Sequence, residues 1–252
     1  MAQVRIGTSG WHYKHWRGPF YDERCPVSKM LEVYVRHFDA VEINSSFYKL
    51  PSEETFASWR DATPPGFCFA VKASRFITHN KKLKDPANAL DNFLPRAAML
   101  RQKLGPILFQ LPPLWRVNVD RLEEFLSVLA KRKRRHYAFE FRNPTWLVPE
   151  VYQALRRHNA AFCIYELAGF QTPLEITADW TYIRLHGPGK KYQGSYSSDQ
   201  LRTWAKRICE WSDALESVYA FFDNDQAGYA AQNALELKRL VEQRGSRNHA
   251  AA

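Results

Sequence analysis

The amino-acid sequence predicts an α/β protein built as a single (β/α)8 TIM barrel, and three observations support this fold class. Eight short β-prone runs recur along the 252 residues. Helical patterns separate these runs, as in a chain where each barrel strand is followed by a helix. In five of the runs, polar and apolar residues alternate with one shared phase, and the polar residues cluster where the runs end. We therefore expect a functional site at the carboxyl ends of the strands.

The β-prone runs are rich in Val, Ile, Phe and Tyr, which strands favour. They are VRIGTS from Val4, AVEINSSF from Ala40, FCFAVKAS from Phe67, PILFQLP from Pro106, YAFEFR from Tyr137, AFCIYEL from Ala161, TYIRLHG from Thr181 and SVYAFFDN from Ser217. The main alternative is a doubly wound sheet. A lone GxG in HGPGK does not follow the first strand, so the dinucleotide-binding pattern typical of that fold is missing.

Apolar spacing and capping residues predict the helices between the strands. The predicted helices run over 27–38, 53–60, 86–104, 119–132, 149–158, 199–211 and 228–243. Ser52, Asn118 and Ser198 are suited to cap three of them. Asp85 followed by proline is expected to open the helix over 86–104, in which Pro95 should cause a kink or break.

Composition favours one globular domain. Hydrophobic residues make up 45% of the chain, enough for a sizeable core, and no apolar run approaches the roughly 20 residues of a membrane span. No linker divides the sequence, so we expect a barrel domain over 1–244 and a disordered tail over 245–252. No signal peptide is recognisable, and the four cysteines are widely spaced. We therefore expect reduced thiols, a cytoplasmic location and no membrane partner.

Alternation along the strands predicts which side chains face the barrel axis. The helix-facing set must be apolar, as Ile183 and Leu185 are, so the alternate polar set faces inward. That set contains Glu42, Asn44, Lys72, Gln110, Glu140, Arg142, Arg184 and His186. An exposed edge strand would not put five strands in one phase, and burying so many polar groups is costly unless they are used. We predict that these side chains share a polar cavity.

Several longer motifs resemble the YecE-like family, also called domain of unknown function 72. They are GTSGWHYKHWRGPFY from Gly7, VEINSSFYKLP from Val41, FAVKAS from Phe69, GPILFQLPP from Gly105, FEFRNPTW from Phe139, YIRLHG from Tyr182 and FFDNDQAGYAAQNA from Phe221. The resemblance spans nearly the full chain. It implies a TIM barrel and no particular activity. The family often has an aspartate where this chain has Glu166, which puts any role for that carboxylate in doubt.

The inward charges predict a small anionic ligand. Two carboxylates stand against three cations, Lys72, Arg142 and Arg184, which leaves a net charge of +1. The two guanidinium groups are suited to grip a phosphate or carboxylate. Lys190 lies in a glycine-rich basic loop after the strand that begins at Thr181, where barrels often bind phosphate.

Acid–base catalysis is the chemistry that this set supports best, in a hydrolase, isomerase or lyase. Glu42 or Glu140 is suited to act as general base and His186 as general acid or proton shuttle. Lys72 joins the predicted catalytic set, although nearby carboxylates favour a protonated ammonium over a Schiff base. Asn44 and Gln110 are expected to hold substrate hydroxyl or carbonyl groups.

Further substrate contacts are predicted at the two ends of the chain. Trp11 and His12 follow the first strand closely and are expected to contact a ligand. Trp16 and Phe20 flank a Gly-Pro turn and are expected to pack as a cap. Asn224 is expected to contact substrate, although the phase of the last strand leaves it in competition with its neighbour.

Two alternatives remain open. A divalent-metal enzyme resembling sugar isomerases or endonuclease IV-type barrels would use ligands from the set Glu42, Glu140, Glu166, His186 and Asp223. The three inward cations disfavour it, and no metal or cofactor is required. A nucleic-acid-binding module would use the basic run over 131–135. That run precedes a strand and so belongs to the amino-terminal face, which favours a solvated helix end.

Overall fold

All eight predicted strands form in the chain. The computed structural model describes residues 2–132 and 135–250, with side chains up to residue 246. The predicted strands are β1 (Gln3–Thr8), β2 (Ala40–Ile43), β3 (Cys68–Lys72), β4 (Leu104–Leu111), β5 (Tyr137–Phe141), β6 (Ala161–Leu167), β8 (Trp180–Leu185) and β9 (Ser217–Phe222). A two-residue strand that the sequence analysis missed, β7 (Phe170–Gln171), lies between them.

The sheet order is β1-β9-β8-β6-β5-β4-β3-β2, with β7 paired to β6 alone. The pairs β1–β9, β3–β4, β4–β5 and β5–β6 are parallel, whereas β7 runs antiparallel to β6. Parallel strands separated by helices are the arrangement of a (β/α)8 barrel. The predicted fold class is confirmed.

Helices follow the strands, with bounds that differ from the predicted ones at several ends. They are α1 (Met30–Tyr34), α2 (Ser45–Tyr48), α3 (Glu53–Asp61), α4 (Pro86–Ala98), α5 (Val119–Ala130), α6 (Pro149–Arg157), α7 (Ser198–Ala214) and α8 (Tyr229–Ala250). The first is much shorter than the predicted 27–38, because a separate 3-10 turn takes up 27–29. The last continues to Ala250, where the sequence predicted an end at 243 and a disordered tail from 245.

Two of the three predicted caps are confirmed. The side chains of Ser52 and Asn118 accept hydrogen bonds from backbone amides in the first turns of their helices. The third prediction was wrong by one residue, because Ser197 rather than Ser198 caps α7. Its side chain and that of Gln200 form a reciprocal capping box. Two adjacent serines leave such a choice to the tertiary structure.

The helix predicted over 86–104 ends earlier, at Ala98. Leu104 begins β4 instead, after a 3-10 turn over 101–103. Buried Leu100 continues the helical spacing of apolar residues across that turn, which is why the pattern looked longer than the helix. Pro95 lies within α4 without ending it, and Asp85 makes no side-chain cap bond.

The chain divides into two compact units, each with its own apolar packing. The first unit comprises Met1–Val41, Tyr165–Thr172 and Tyr182–Ala252. It contains β1, β9, α7 and α8, with Trp16 and Trp204 buried among them. The predicted single domain over 1–244 stays a prediction.

The second unit comprises Glu42–Ile164 and Pro173–Thr181. Its strands β3 to β5 carry a run of buried aromatic rings. Phe109 stacks on Phe139 with centroids 5.2 Å apart, and Phe141 stacks on Trp146 at 5.0 Å. These rings fix the apolar phase of β4 and β5, and with it the direction of the polar residues between them. None of the helices in the described residues combines the length and apolar character that a membrane span requires.

Gly7 is a position in the first unit where the backbone leaves no room for a side chain. A Cβ atom there would lie 2.2 Å from the Ala40 carbonyl oxygen. We predict that Gly7→Ala lowers the free energy of unfolding by about 3 kcal/mol, as an overpacked core site does. Gly245→Ala is the matched control, because its Cβ meets open space. In helix α8 it should stabilise by about 0.5 to 1 kcal/mol. Urea unfolding of both variants checks this, and equal effects would contradict it.

Candidate functional site

The first unit brings a histidine, an arginine and an aspartate together at the ends of two strands. Arg184 lies in β8 and His186 directly follows it, and both side chains are fully buried. Asp223 directly follows β9 and keeps 14% exposure. Its Oδ2 lies 3.0 Å from His186 Nδ1 and accepts a hydrogen bond from Arg184 Nη2 at 3.2 Å. One carboxylate oxygen therefore binds both predicted residues.

Asp223, rather than Asn224, shares a face with Arg184. Two residues before them, the rings of Phe221 and Tyr182 contact each other at 5.4 Å. Period-two alternation then places Asp223 beside Arg184 and turns Asn224 away. Asp223 was predicted only as a possible metal ligand, in the divalent-metal alternative. The aromatic phase of the strand, read back from Phe221, was the signal that could have found it.

Asn224 has a structural place at the base of a loop. It is fully buried, and its Nδ2 donates to the Gly194 carbonyl at 2.9 Å and to Asn233 Oδ1 at 2.9 Å. Asn233 in turn accepts from the Tyr196 amide at 3.1 Å. The amide that was predicted to contact substrate is occupied in holding the loop over 187–196, so it positions that loop.

The same loop covers His186. Gly187 begins it with φ +106°, and a Cβ there would lie 2.3 Å from the Gln193 carbonyl oxygen. The Tyr192 ring meets the His186 ring edge to face at 5.4 Å, and its amide donates to the His186 carbonyl. Lys190 is exposed in this loop. The basic segment therefore lies next to the buried group, as its place in the sequence suggested.

Glu166 lies apart from the group formed by Arg184 and Asp223. Its Oε2 accepts a hydrogen bond from Trp204 Nε1 of α7 at 3.2 Å, and burial raises the pKa of its carboxyl. Its neighbour Tyr165 is the residue whose ring approaches His186, at 6.0 Å. Strand β6 thus turns its carboxylate toward helix α7.

Sequence analysis also missed Ser9, which directly follows β1. It is buried, and its Oγ lies 3.5 Å from Arg184 Nη2. Strands β1 and β9 are paired in register up to Thr8 and Phe222, so the next residues, Ser9 and Asp223, fall at the same level. A serine at a strand end has no distinguishing pattern in one sequence.

The two aromatic residues predicted to contact ligand differ in exposure. Trp11 is buried, and its carbonyl accepts from Tyr21 Oη at 2.7 Å. His12 is exposed, with Nε2 3.2 Å from the Val27 carbonyl oxygen. Trp16 packs as expected, and its Nε1 donates to Asp225 Oδ1 at 2.5 Å. Burial raises the pKa of that aspartate to about 6.

In the second unit, Glu140 on β5 forms an ion pair with Arg142, which directly follows that strand. Glu140 is fully buried, and the Arg142 side chain is 7% exposed. The other carboxylate oxygen of Glu140 lies 3.9 Å from the buried thiol of Cys163. Alternation put the two charges on one face, as predicted, and they neutralise each other there.

Lys72 ends β3 against an aromatic ring. Its Nζ lies 4.4 Å above the Phe47 ring, and the side chain is 8% exposed. The Phe47 ring also contacts the His79 ring, which meets it edge to face at 4.9 Å. Burial, then Lys72 and Arg75, lower the pKa of His79 to about 4. A cation–π contact favours the ammonium form of Lys72.

The remaining predicted residues of the second unit are less concentrated. Glu42 is fully buried in β2, and Asn44 is half-buried just before α2. Gln110 is half-buried in register with Glu140, but its amide donates to the neighbouring Leu111 carbonyl at 3.3 Å. The strand register therefore places Gln110 beside Glu140.

The two alternatives gain no support from the side chains that the structure describes. Within this part of the chain, no group of three or more His, Cys, Asp or Glu residues is arranged to hold a metal ion. In the basic run, Lys133 and Arg134 lie outside the described residues. Arg132 is engaged with Asp91 at 2.6 Å, as expected of a helix end.

Comparison with known proteins agrees with the fold and with the motifs. A family model described as protein of unknown function DUF72 matches residues 5–252. The UPF0759 protein YunF of Bacillus subtilis is 26% identical over 95% of each chain. The UPF0759 protein YecE of Escherichia coli K12 is 30% identical over 61% of this chain and 54% of its own. The crystal structure of a DUF72 family protein from Thermotoga maritima, 31% identical, superposes with a TM-score of 0.85 and covers 95% and 99% of the two chains.

The charge on Lys72 can be tested through its neighbour His79. We predict that Lys72→Met raises the pKa of His79 from about 4, but leaves it below the ordinary value because burial is the larger cause. NMR titration of the histidine ring checks this, with Lys84→Met as the exposed control. An unchanged His79 pKa would mean that Lys72 carries no charge.

The lowered pKa of His79 makes the folded protein less stable in acid. Between about pH 6.5 and pH 4 the unfolded state binds a proton at His79 that the folded state does not. Stability therefore drops as pH falls through this window, and His79→Gln should flatten that part of the curve.

Proposed function

The chain belongs to the DUF72 family, and we propose that the group formed by Arg184, His186 and Asp223 performs general acid–base chemistry on a small phosphate- or carboxylate-bearing substrate. The observation that carries this proposal is the shared Asp223 carboxylate oxygen, which binds both the histidine and the arginine. A carboxylate on one ring nitrogen orients a histidine and stabilises its charged form. The proposed reaction types are hydrolysis, isomerisation and elimination.

The hydrogen bonds support one tautomer of His186. Arg184 is always a donor, and its Nη1 lies 3.3 Å from His186 Nε2, so that nitrogen accepts. The proton of the neutral ring then sits on Nδ1, where it donates to Asp223. In this state His186 is a base with its lone pair on Nε2, masked by the arginine.

Substrate binding would unmask that lone pair. An anionic group competes with Nε2 for the Arg184 guanidinium, because charge-assisted hydrogen bonds are stronger than bonds to a neutral ring. Nε2 is then available to take a proton from the substrate, and Asp223 stabilises the imidazolium that results. The anionic group thus has two roles: it binds the substrate to Arg184, and it frees Nε2 of His186 to accept a proton.

Access to His186 requires the loop over 187–196 to move. Tyr192 lies over the buried ring and is itself 45% exposed. Lys190 and Lys191 are exposed on the same loop, and each adds positive charge where an anion would approach. We propose that the loop covers His186 and that substrate replaces Tyr192 against the histidine ring. Asn224 and Asn233 hold the loop at Gly194 and Tyr196.

Glu140 in the second unit is the alternative residue for the same general acid–base chemistry. It is a fully buried carboxylate in contact with both a guanidinium and a thiol. One of its carboxylate oxygens is engaged by the Arg142 guanidinium, so a substrate proton would have to compete with that contact. Lys72 and Glu42 were predicted beside it as catalytic residues, and they remain candidates in this alternative.

The test is a search for substrate followed by a charge-removal variant. Purified protein is screened by thermal shift against phosphosugars, nucleotides and hydroxycarboxylates without added metal, and compounds that raise Tm are followed for conversion by NMR. We predict that Asp223→Asn lowers turnover about 10²- to 10⁴-fold, because the histidine loses its orienting charge. Asp213→Asn, on an exposed residue of α7, is the control and should leave turnover unchanged.

Three results would count against the proposal. Full turnover in Asp223→Asn or His186→Gln would remove the first unit's group from the chemistry. Loss of turnover in Glu140→Gln alone would move the reaction to the second unit. A panel in which no anion raises Tm would contradict the substrate class.

A further inference from the structure

The second unit contains a cavity of about 350 Å³ at the amino-terminal ends of β5 and β6. Helices α5 and α6 end beside it, and Leu126, Leu129 and Ala160 give it an apolar floor. Glu140 and Arg142 lie at the other end of β5, so this cavity is separate from the groups described above. Its volume falls in the range of small-molecule sites.

Cations line the rim of this cavity. Arg132, Arg135 and Arg157 all contribute to it. Two of them have carboxylate partners, since Arg132 pairs with Asp91 and Arg157 with Glu123. Among the described residues, Arg135 makes no ion pair. It also lines a neighbouring cavity of about 230 Å³, so one arginine with no carboxylate partner stands between two concave surfaces.

A second, independent observation points to a ligand. The Tyr137 side chain lines the cavity and is only 8% exposed, yet its buried hydroxyl has no hydrogen-bond partner among the described residues. A buried polar group left unpaired costs about 1 to 3 kcal/mol, so a native protein seldom keeps one without a use. A ligand oxygen in the cavity would accept that hydrogen bond.

The positive charges near Tyr137 favour a ligand with a hydrogen-bond acceptor next to the tyrosine hydroxyl. Arg135 and Arg132 are both close enough to Tyr137 to oppose the rise of its pKa that burial causes. His158 also lines the cavity, and its pKa is lowered by burial and by Arg157, so it is a neutral polar group at neutral pH. Within the described part of the chain, the cavity therefore offers one guanidinium without a carboxylate partner, one unpaired hydroxyl and an apolar floor.

We propose that this cavity binds a small amphipathic anion, a phosphate or carboxylate joined to an aromatic or aliphatic group. The anionic end would accept from Arg135 and Tyr137, and the apolar end would lie on Leu126 and Leu129. A nucleic acid would use only the exposed cations and would leave the apolar floor and the buried hydroxyl without contacts. The concave lining therefore favours the small molecule over a polymer.

Calorimetric titration with phenyl phosphate, inorganic phosphate and phenol at low ionic strength tests the proposal. We expect phenyl phosphate to bind at least about tenfold more tightly than either half, because it uses both parts of the cavity. Arg135→Met keeps the apolar stem and should weaken its binding by about tenfold or more. Arg156→Met is the matched control, since that arginine pairs with Glu175 outside the cavity and should change nothing.

Tyr137→Phe separates a ligand contact from a structural role. We expect it to weaken phenyl phosphate binding about three- to tenfold without lowering the Tm of the unliganded protein, because the hydroxyl has no partner to lose. A lower Tm would show a structural partner and overturn the argument from the hydroxyl. Asp223→Asn should leave this binding unchanged, which keeps the result independent of the proposed catalytic group.

The proposal is overturned if Arg135→Met binds phenyl phosphate as well as the parent protein does. It is also overturned if inorganic phosphate binds as tightly as phenyl phosphate, since the apolar floor would then contribute nothing. A short DNA duplex that binds with steep salt dependence, without competition from phenyl phosphate, would assign this face to nucleic acid instead.

Discussion

Arg184 is a fully buried guanidinium that cannot lose its charge, and its pairing with Asp223 is the constraint on which the first unit's site depends. A buried charge left alone would cost several kcal/mol, so the carboxylate must stand where it does. Because Asp223 is fixed by the arginine, it also fixes His186 through the same oxygen. The same carboxylate oxygen thus contributes both to the compensation of the buried charge and to the orientation of the histidine. The Glu140–Arg142 pair meets the same constraint in the second unit with residues from one strand and its carboxyl end.

The local parts of this arrangement could be predicted from the sequence. Period-two alternation gave all eight main strands and the direction of Glu140, Arg142, Arg184 and His186, because an apolar face leaves only one direction for the polar one. What the sequence did not give was the partner on the next strand. Asp223 ends a strand of mostly aromatic residues whose two faces look alike in one sequence. Lys72 was predicted to be charged, but its contact with Phe47 depends on a chain reversal that no local pattern shows.

Buried amides organise the surroundings of the site. Asn224 donates to Asn233, and the two amides bind the backbone of the loop over 187–196 at Gly194 and Tyr196, near its carboxyl-terminal end. The preceding part of the loop carries Tyr192 and the two lysines, Lys190 and Lys191. A cover anchored in this way suits a site whose reactive nitrogen is hidden when no ligand is bound.

We propose that His186 is neutral, with its proton on Nδ1 and its ring held between Asp223 and Arg184. Nitrogen-15 NMR of the protein with labelled histidines measures this directly, since the two ring tautomers have different nitrogen shifts, and His186→Gln identifies the signal. We expect the Nδ1–H tautomer at pH 8, with a change in that signal in Asp223→Asn. A ring protonated on Nε2, or a signal insensitive to Asp223, would contradict it.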